Sequence, residues 1–245
     1  SAYLGPEIAT NGKNLFEVQF VGSFVLLAIC FVVAFVLLSL FKPAKKLALP
    51  KDNSKRKLIE IIKQPTFIVA MSSAASGYVI MSYVMTATPI SMHSMDGFSL
   101  EQTKFVIQSH VIAMFLPSLF TPMIVKLLGL NRMLIIGILL YFVCVAIALL
   151  DHLLINYWVS GRSLGIGWNF LYIGGTALLP SSYEENEKFK VQTVNDFSIF
   201  GFQAFASLSA GWFVFNYGWE SVLYSVVPII LIQFFILLWW LKNKN

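Results

Sequence analysis

Long apolar blocks separated by short polar ones dominate this chain. Seven blocks stand out: Phe20–Phe41, Thr66–Ile90, Thr103–Leu128, Met133–Leu150, Leu153–Leu179, Val191–Phe215 and Ser221–Leu241. A bilayer core of about 30 Å takes roughly 20 apolar residues as a helix. The runs are continuous rather than short and alternating, which predicts helices and not a β-barrel. The expected fold class is therefore all-α: a multi-pass transmembrane helical bundle of seven spans.

The polar intervals predict an orientation. Lys42, Lys45, Lys46, Lys51, Lys55, Arg56, Lys57 and Lys63 lie between the first and second blocks. On the same side fall Lys126 and Arg132, Lys188 and Lys190, and Lys242 and Lys244, whereas the opposite side carries Lys13 and Lys104. Basic residues gather in cytoplasmic loops, so the N-terminus is expected outside the cytoplasmic membrane and the C-terminus inside. Trp219, Trp239 and Trp240 fall near the expected interfaces. Within the long basic interval, Leu58, Ile59, Ile61 and Ile62 recur at near-helical spacing. That suggests either a short amphipathic helix on the inner leaflet or a solvated linker.

Composition agrees with this pattern. Hydrophobic residues make up 58% of the chain and charged residues 12%, against about 25% charged in a soluble domain, so too little polar surface exists to coat a water-soluble body. The net charge of +5 does not point to nucleic acid, because the basic residues sit between apolar blocks rather than on one face. Cys30 and Cys144 each lie inside an apolar block, which argues against a disulfide framework. The first residue is Ser1, with no basic stretch before the first block, and the start reads as a cut or an internal boundary.

Polar groups inside apolar blocks are costly in lipid, so they usually face the bundle interior or a water-filled path. Arg162, Asn169 and Thr176 recur every seven residues and share a helix face, with Tyr172 beside them. Asp196, Gln203 and Ser207 share another, and Tyr78, Ser82, Thr86 and Pro89 a third. Arg162 reads as a solute-facing group or as a side chain snorkelling to headgroups. His110 reads as a proton-coupling group or a neutral histidine bonded across helices. Asp196 reads as a proton-carrying carboxylate or as the partner of Asn195. Gly165, Gly167, Gly174 and Gly175 fit close helix packing; Pro117 and Pro228 interrupt spans. No GxxxxGKS phosphate loop and no metal-ligand spacing occur, so neither a cofactor nor a metal is expected.

Several segments resemble the major facilitator superfamily: Tyr83–Met92, Gln108–Pro122, Leu164–Leu179 and Val191–Phe202, with Gly5–Ala9 similar to the end of that family's fifth span. The resemblance is collinear over nearly the whole chain and is closest to a bacterial subgroup of small-molecule permeases. It implies twelve spans in two halves. Residues 1–41 would then be the end of the N-terminal half, 42–65 a cytoplasmic linker, and 66–245 the C-terminal six-span half. The family's charged loop motif corresponds to Lys126, Gly129 and Arg132, with Pro122 where a glycine is usual and Val125 where an acid is common. Arg162 also departs from the family's aliphatic pattern.

These features predict secondary transport of a small solute by alternating access, proton-coupled as symport or antiport, and no enzymatic activity. The partners would be the solute, membrane lipid and the preceding spans of the same protein. The alternative is a seven-span receptor or photoreceptor. A retinal protein needs a buried lysine for its Schiff base, and Ser221–Leu241 holds none.

Overall fold

The computed structural model describes residues 4–41 and 56–243. Lys42, Lys45, Lys46, Lys51, Lys55 and Lys244 lie outside the described residues. The chain divides into two units, residues 1–51 and 52–245. All described secondary structure is helical.

In the first unit, α1 (Leu4–Gly12) pairs with α2 (Val21–Ser39). The Ser23 hydroxyl donates to the Ala9 carbonyl at 2.8 Å. With a mean hydropathy of 3.0 and Gly22 as its buried residue, α2 has an almost uniformly apolar and uncovered surface, as a helix seated in lipid or against further spans requires.

The second unit holds α3 (Leu58–Ile62), α4 (Pro65–Ile90), α5 (Leu100–Phe115), α6 (Thr121–Ala148), α7 (Leu154–Leu178) and α8 (Lys188–Asn243). Pro65 opens α4 at its first turn, where its fixed φ and missing N–H cost nothing. A reciprocal cap opens α5. Ser99 Oγ accepts from the Gln102 amide, and Gln102 Oε1 accepts from the Ser99 amide at 2.9 Å, satisfying two of the free amides at a helix start. Pro117 lies in a 3-10 turn, Leu116–Phe120, between α5 and α6, while Pro228 sits inside α8.

Two glycines divide what the helical bonding joins. Gly129 in α6 has φ 72° and Gly218 in α8 has φ 81°, a region that L side chains rarely adopt. These breaks fall in the polar intervals between the third and fourth blocks and between the sixth and seventh. Four helical stretches are long and apolar enough to cross a membrane: Val21–Ser39, Pro65–Met95, Leu100–Ala148 and Glu185–Asn243. The chain is a multi-pass membrane protein. At about 1.5 Å per residue, the 49 and 59 residues of the two longest stretches far exceed one bilayer, and the glycine breaks give each room for two passes.

The block Leu153–Leu179 forms a helix as expected but falls outside those four stretches. Its sequence carries Asn156, Ser160, Arg162, Ser163, Asn169 and a run of glycines. The reason is positional. α7 packs against α4, α5 and α6, so much of its surface meets protein rather than acyl chains. Glycine permits the close approach. A Cβ on Gly175 would lie 2.6 Å from the Ala70 carbonyl oxygen, and one on Gly165 would lie 2.7 Å from that of His110. Hydrogen bonds fasten the same core: Tyr141 OH donates to Gly77 O at 2.7 Å, and Gln233 Nε2 to Ser73 Oγ at 2.8 Å.

α3 corrects the surface-helix expectation. Only Leu58–Ile62 is helical, and Ile61 is fully buried in the core with Leu58 and Ile62 packed beside it. The segment docks on the unit's own apolar face; residues 51–55 of that expectation lie outside the described residues.

Candidate functional site

An open cleft of about 340 Å³ lies between α4, α5 and α8. From α4 it takes Met81, Ser82, Met85 and Thr86; from α5, Ile107, His110, Val111 and Met114; from α8, Gln203 and Ser207. Helical spacing explains the convergence, since residues three and four apart share a face. Among the described residues, Ser82, Thr86, Gln203 and Ser207 make no side-chain hydrogen bond. Polar groups left unspent in this way are costly against lipid. Another hollow, lined by Gly5, Ile8, Ala9, Phe20 and Phe24 in the first unit, offers one polar side chain, Ser23, and that hydroxyl is already spent on Ala9.

His110 is 2% exposed. Its Nδ1 lies 2.7 Å from the Gly161 carbonyl. A carbonyl only accepts, so Nδ1 carries the proton of this bond. Nε2 is enclosed and has no partner. The ring thus both bonds across helices and borders the cleft.

Beyond the cleft on the same faces of α4 and α8 lies a group of rings. Tyr78 stands edge-on to Trp168, Tyr172 and Phe200, with centroids 5.2, 4.9 and 5.5 Å away. Trp168 stacks on Tyr172 at 5.2 Å and meets Phe115 edge-on at 5.7 Å.

The structure therefore brings Ser82, His110 and Gln203 into one cleft, and Tyr78 and Tyr172 into the adjoining ring group. It places the other expected residues elsewhere. Arg162 is exposed and lays its guanidinium over the Trp158 ring, 3.5 Å from the centroid; it does not line the described cleft. Asn169 is fully buried, and its Nδ2 donates to Met114 O at 2.7 Å and Ser118 Oγ at 2.6 Å. It fastens α7 to the point where α5 gives way to the 3-10 turn. Thr176 donates to Tyr172 O within its own helix. Asp196 is exposed and accepts from Asn195 Nδ2 at 3.0 Å. Lys126 and Arg132 are exposed on either side of the Gly129 break.

Phe115 and Phe200 escaped the sequence reading. The available signal was their register: Phe200 precedes Gln203 by three residues, and Phe115 follows Val111 by four.

Two polar clusters tie the ends of the bundle. At one end Tyr157 OH donates to Asp96 Oδ2 at 2.7 Å and pairs with Ser91 Oγ, and His152 Nδ1 sits 3.1 Å from Asp96 Oδ1. At the other end Arg56 clasps Glu187, with its Nε donating to Oε1 at 3.0 Å and its Nη2 to Oε2. Gln64 joins this clasp by accepting from Arg56 and donating to Ser182 O, both at 3.2 Å. Glu187 is 1% exposed and sits in the polar turn before α8. The hydrogen bonds from Arg56 hold its carboxyl below the usual glutamate range, and the same pairing raises the Arg56 guanidinium.

No family model and no solved structure matches the chain. Curated relatives do. Over 248 residues the chain is 33% identical to the riboflavin transporter RfnT of Brucella anthropi, across 100% of the chain and 62% of that protein. Over 121 residues it is 36% identical to the MFS-type transporter YdeG of Bacillus subtilis, across 48% of the chain and 28% of that protein. A second Bacillus subtilis protein, the MFS-type transporter YddS, is 29% identical over 190 residues. This chain is a relative of the MFS-type transporters. It spans less than two thirds of the length of each of these three proteins. The MFS relationship accords with a bundle whose polar side chains from three helices border one cleft.

Proposed function

We propose that this chain supplies one wall of a solute passage, and that the whole protein moves a small solute across the cytoplasmic membrane by alternating access. The observation that carries this reading is the cleft itself. Ser82, Thr86, Gln203 and Ser207, all without side-chain hydrogen bonds among the described residues, converge with His110 from three helices. In this reading residues 66–245 form a C-terminal six-span half, 42–65 a linker on the cytoplasmic side, and 1–41 the end of the preceding half. Transport is coupled to protons, with His110 as the titratable side chain among those bordering the cleft. The relatives' names favour a transporter over the receptor alternative.

Because one relative is named a riboflavin transporter, riboflavin is the first solute to test. Uptake would be measured in vesicles containing the full-length parent protein, with and without a protonophore. The reading expects uptake that falls when the proton gradient collapses and falls again in His110→Ala. Uptake of riboflavin and of a panel of other small solutes at the level of empty vesicles would overturn it. Uptake indifferent to both treatments would remove the proton coupling alone.

A further inference from the structure

We infer that Arg162, laid over Trp158, is a binding site for the phosphodiester group of an anionic phospholipid. The site lies on the face of α7 turned away from the cleft. It does not depend on which solute the protein carries, or on whether it carries one.

The argument starts from which faces of α7 are taken. A Cβ on Gly165 would lie 2.7 Å from the His110 carbonyl oxygen of α5, one on Gly167 2.7 Å from the Tyr141 ring of α6, and one on Gly175 2.6 Å from the Ala70 carbonyl oxygen of α4. Three sides of the helix are thus closed by protein. The side that remains carries Ile155, Val159, Arg162, Ile166 and Ile173, each exposed or partly so. They follow one another at helical spacing, as one face does. Four of the five are aliphatic, as a surface against acyl chains requires. Arg162 is the exception, and a charge on such a face is costly unless it meets a counter-charge or water.

The side chain runs toward the edge of the membrane. Side chains on a helix lean toward its N-terminus, and Trp158 lies one turn that way. Arg162 is eight residues from Leu154, about 12 Å along the axis, and lying back over Trp158 brings the guanidinium to about half that depth. The polar pair Asp151 and His152 stands just before α7. A long cationic side chain placed there reaches the headgroup layer.

The guanidinium is held but not spent. Its carbon sits 3.5 Å from the Trp158 ring centroid, and Trp158 is itself stacked on Phe105, 6.0 Å away and within 7° of parallel. Stacking uses the face of the guanidinium and leaves its N–H donors free at the edge. Among the described residues Arg162 forms no hydrogen bond or ion pair. The carboxylates at this end of the bundle are engaged elsewhere. Glu101 pairs with Lys104 at 2.7 Å, Asp96 accepts from Tyr157 OH, and Asp151 accepts from the His152 amide. The counter-charge therefore comes from a ligand. Two oxygens of a phosphodiester match the planar fork, and an anionic lipid brings no cation of its own to compete. Free phosphate would match the fork but not the isoleucines beside it. A phospholipid supplies both parts, with its acyl chain against Ile155, Ile166 and Ile173.

The test uses the purified full-length protein in detergent, with three probes: dioleoyl phosphatidylglycerol, dioleoyl phosphatidylcholine and inorganic phosphate. Native mass spectrometry counts bound lipid and gives Kd for the parent, Arg162→Gln and Arg162→Lys. The parent should prefer phosphatidylglycerol over phosphatidylcholine. Arg162→Gln should raise the phosphatidylglycerol Kd about fivefold, the size of one lost cation at a lipid surface, and leave the phosphatidylcholine Kd unchanged. Arg162→Lys keeps the charge and loses the fork, so its Kd should fall between the two. Phosphatidylglycerol should also raise the melting midpoint of the parent and not that of Arg162→Gln, whereas inorganic phosphate should do neither. A phosphatidylglycerol Kd unchanged in Arg162→Gln would overturn the site. Displacement of the lipid by inorganic phosphate at millimolar concentration would overturn the lipid as its ligand.

Discussion

Replacing Gly165 by alanine probes how closely α5 and α7 approach. The added Cβ would sit 2.7 Å from the His110 carbonyl oxygen, 3.1 Å from the Met114 amide nitrogen and 3.1 Å from the Ala113 Cβ. Two of those three atoms are α5 backbone, so no side-chain rotation relieves the clash and α5 must shift as a body. Overpacking of this kind costs about 1–3 kcal/mol. Alanine in a helix recovers about 0.5–1 kcal/mol relative to glycine. Taken at the middle of both ranges, the net expectation is a loss of about 1.25 kcal/mol, or roughly an eightfold fall in the folded-to-unfolded ratio. Gly201 in α8 is the control, since a Cβ there meets nothing within 4 Å; Gly201→Ala should stabilise by the helix term alone. Thermal denaturation of the full-length protein in one detergent gives both values. The two substitutions should shift the midpoint in opposite directions. A Gly165→Ala midpoint at or above the parent's would refute the close approach of the two helices.

The remaining predictions concern other fastenings. Tyr141→Phe removes the hydroxyl that reaches Gly77 O and should cost about 1 kcal/mol in denaturation, with solute KM unchanged. Arg162→Leu removes a cation stacked on Trp158 and should cost about 0.5–1 kcal/mol. It should leave uptake kinetics as they were, because Arg162 does not line the cleft; a large rise in KM would restore it to the solute path. For Glu187 the sign follows from its lowered pKa. The folded state holds the carboxylate more tightly than the unfolded state does. The stabilisation is therefore complete above the unfolded value of about 4.3 and is lost as pH falls through the lower folded value. The gap in melting midpoint between the parent and Glu187→Gln should be largest at neutral pH and shrink on acidification. A gap that widens in acid would contradict the clasp.

Much of the fold was legible because lipid imposes a simple rule on composition. The apolar blocks mark the helices, and the polar intervals mark the breaks at Gly129 and Gly218, where only a glycine holds the required φ with ease. α7 was legible as a helix but not as the packed one, since hydropathy does not reveal which surface meets protein and which meets lipid. At the candidate site, periodicity established that Gln203 and Ser207 share a face and that Tyr78 and Ser82 share another. It could not rotate those faces toward one another. Arg162 and Asn169 show why. They share a heptad face, yet the long arginine folds back onto Trp158 one turn away, and the short asparagine is spent on the Met114 carbonyl of α5. Side-chain reach and the partner's register decided both cases, and neither is written in a single helix's spacing. The Arg56–Glu187 clasp joins residues far apart in sequence, so no local pattern announced it.

Thiol accessibility in the membrane tests the central claim most directly. Cys30 is exposed and Cys144 buried, so the background carries Cys30→Ser together with serine at every reactive cysteine outside residues 1–245. Ser82→Cys, Thr86→Cys, Gln203→Cys and Ser207→Cys, each in the full-length protein, would be exposed to a charged, membrane-impermeant thiosulfonate. Phe205→Cys and Leu208→Cys, on other faces of α8, serve as comparison. A water-filled passage predicts rapid modification at the first four positions and none at positions 205 and 208. Modification at 205 and 208 with silence at 82, 86, 203 and 207 would show that the polar faces do not border a passage.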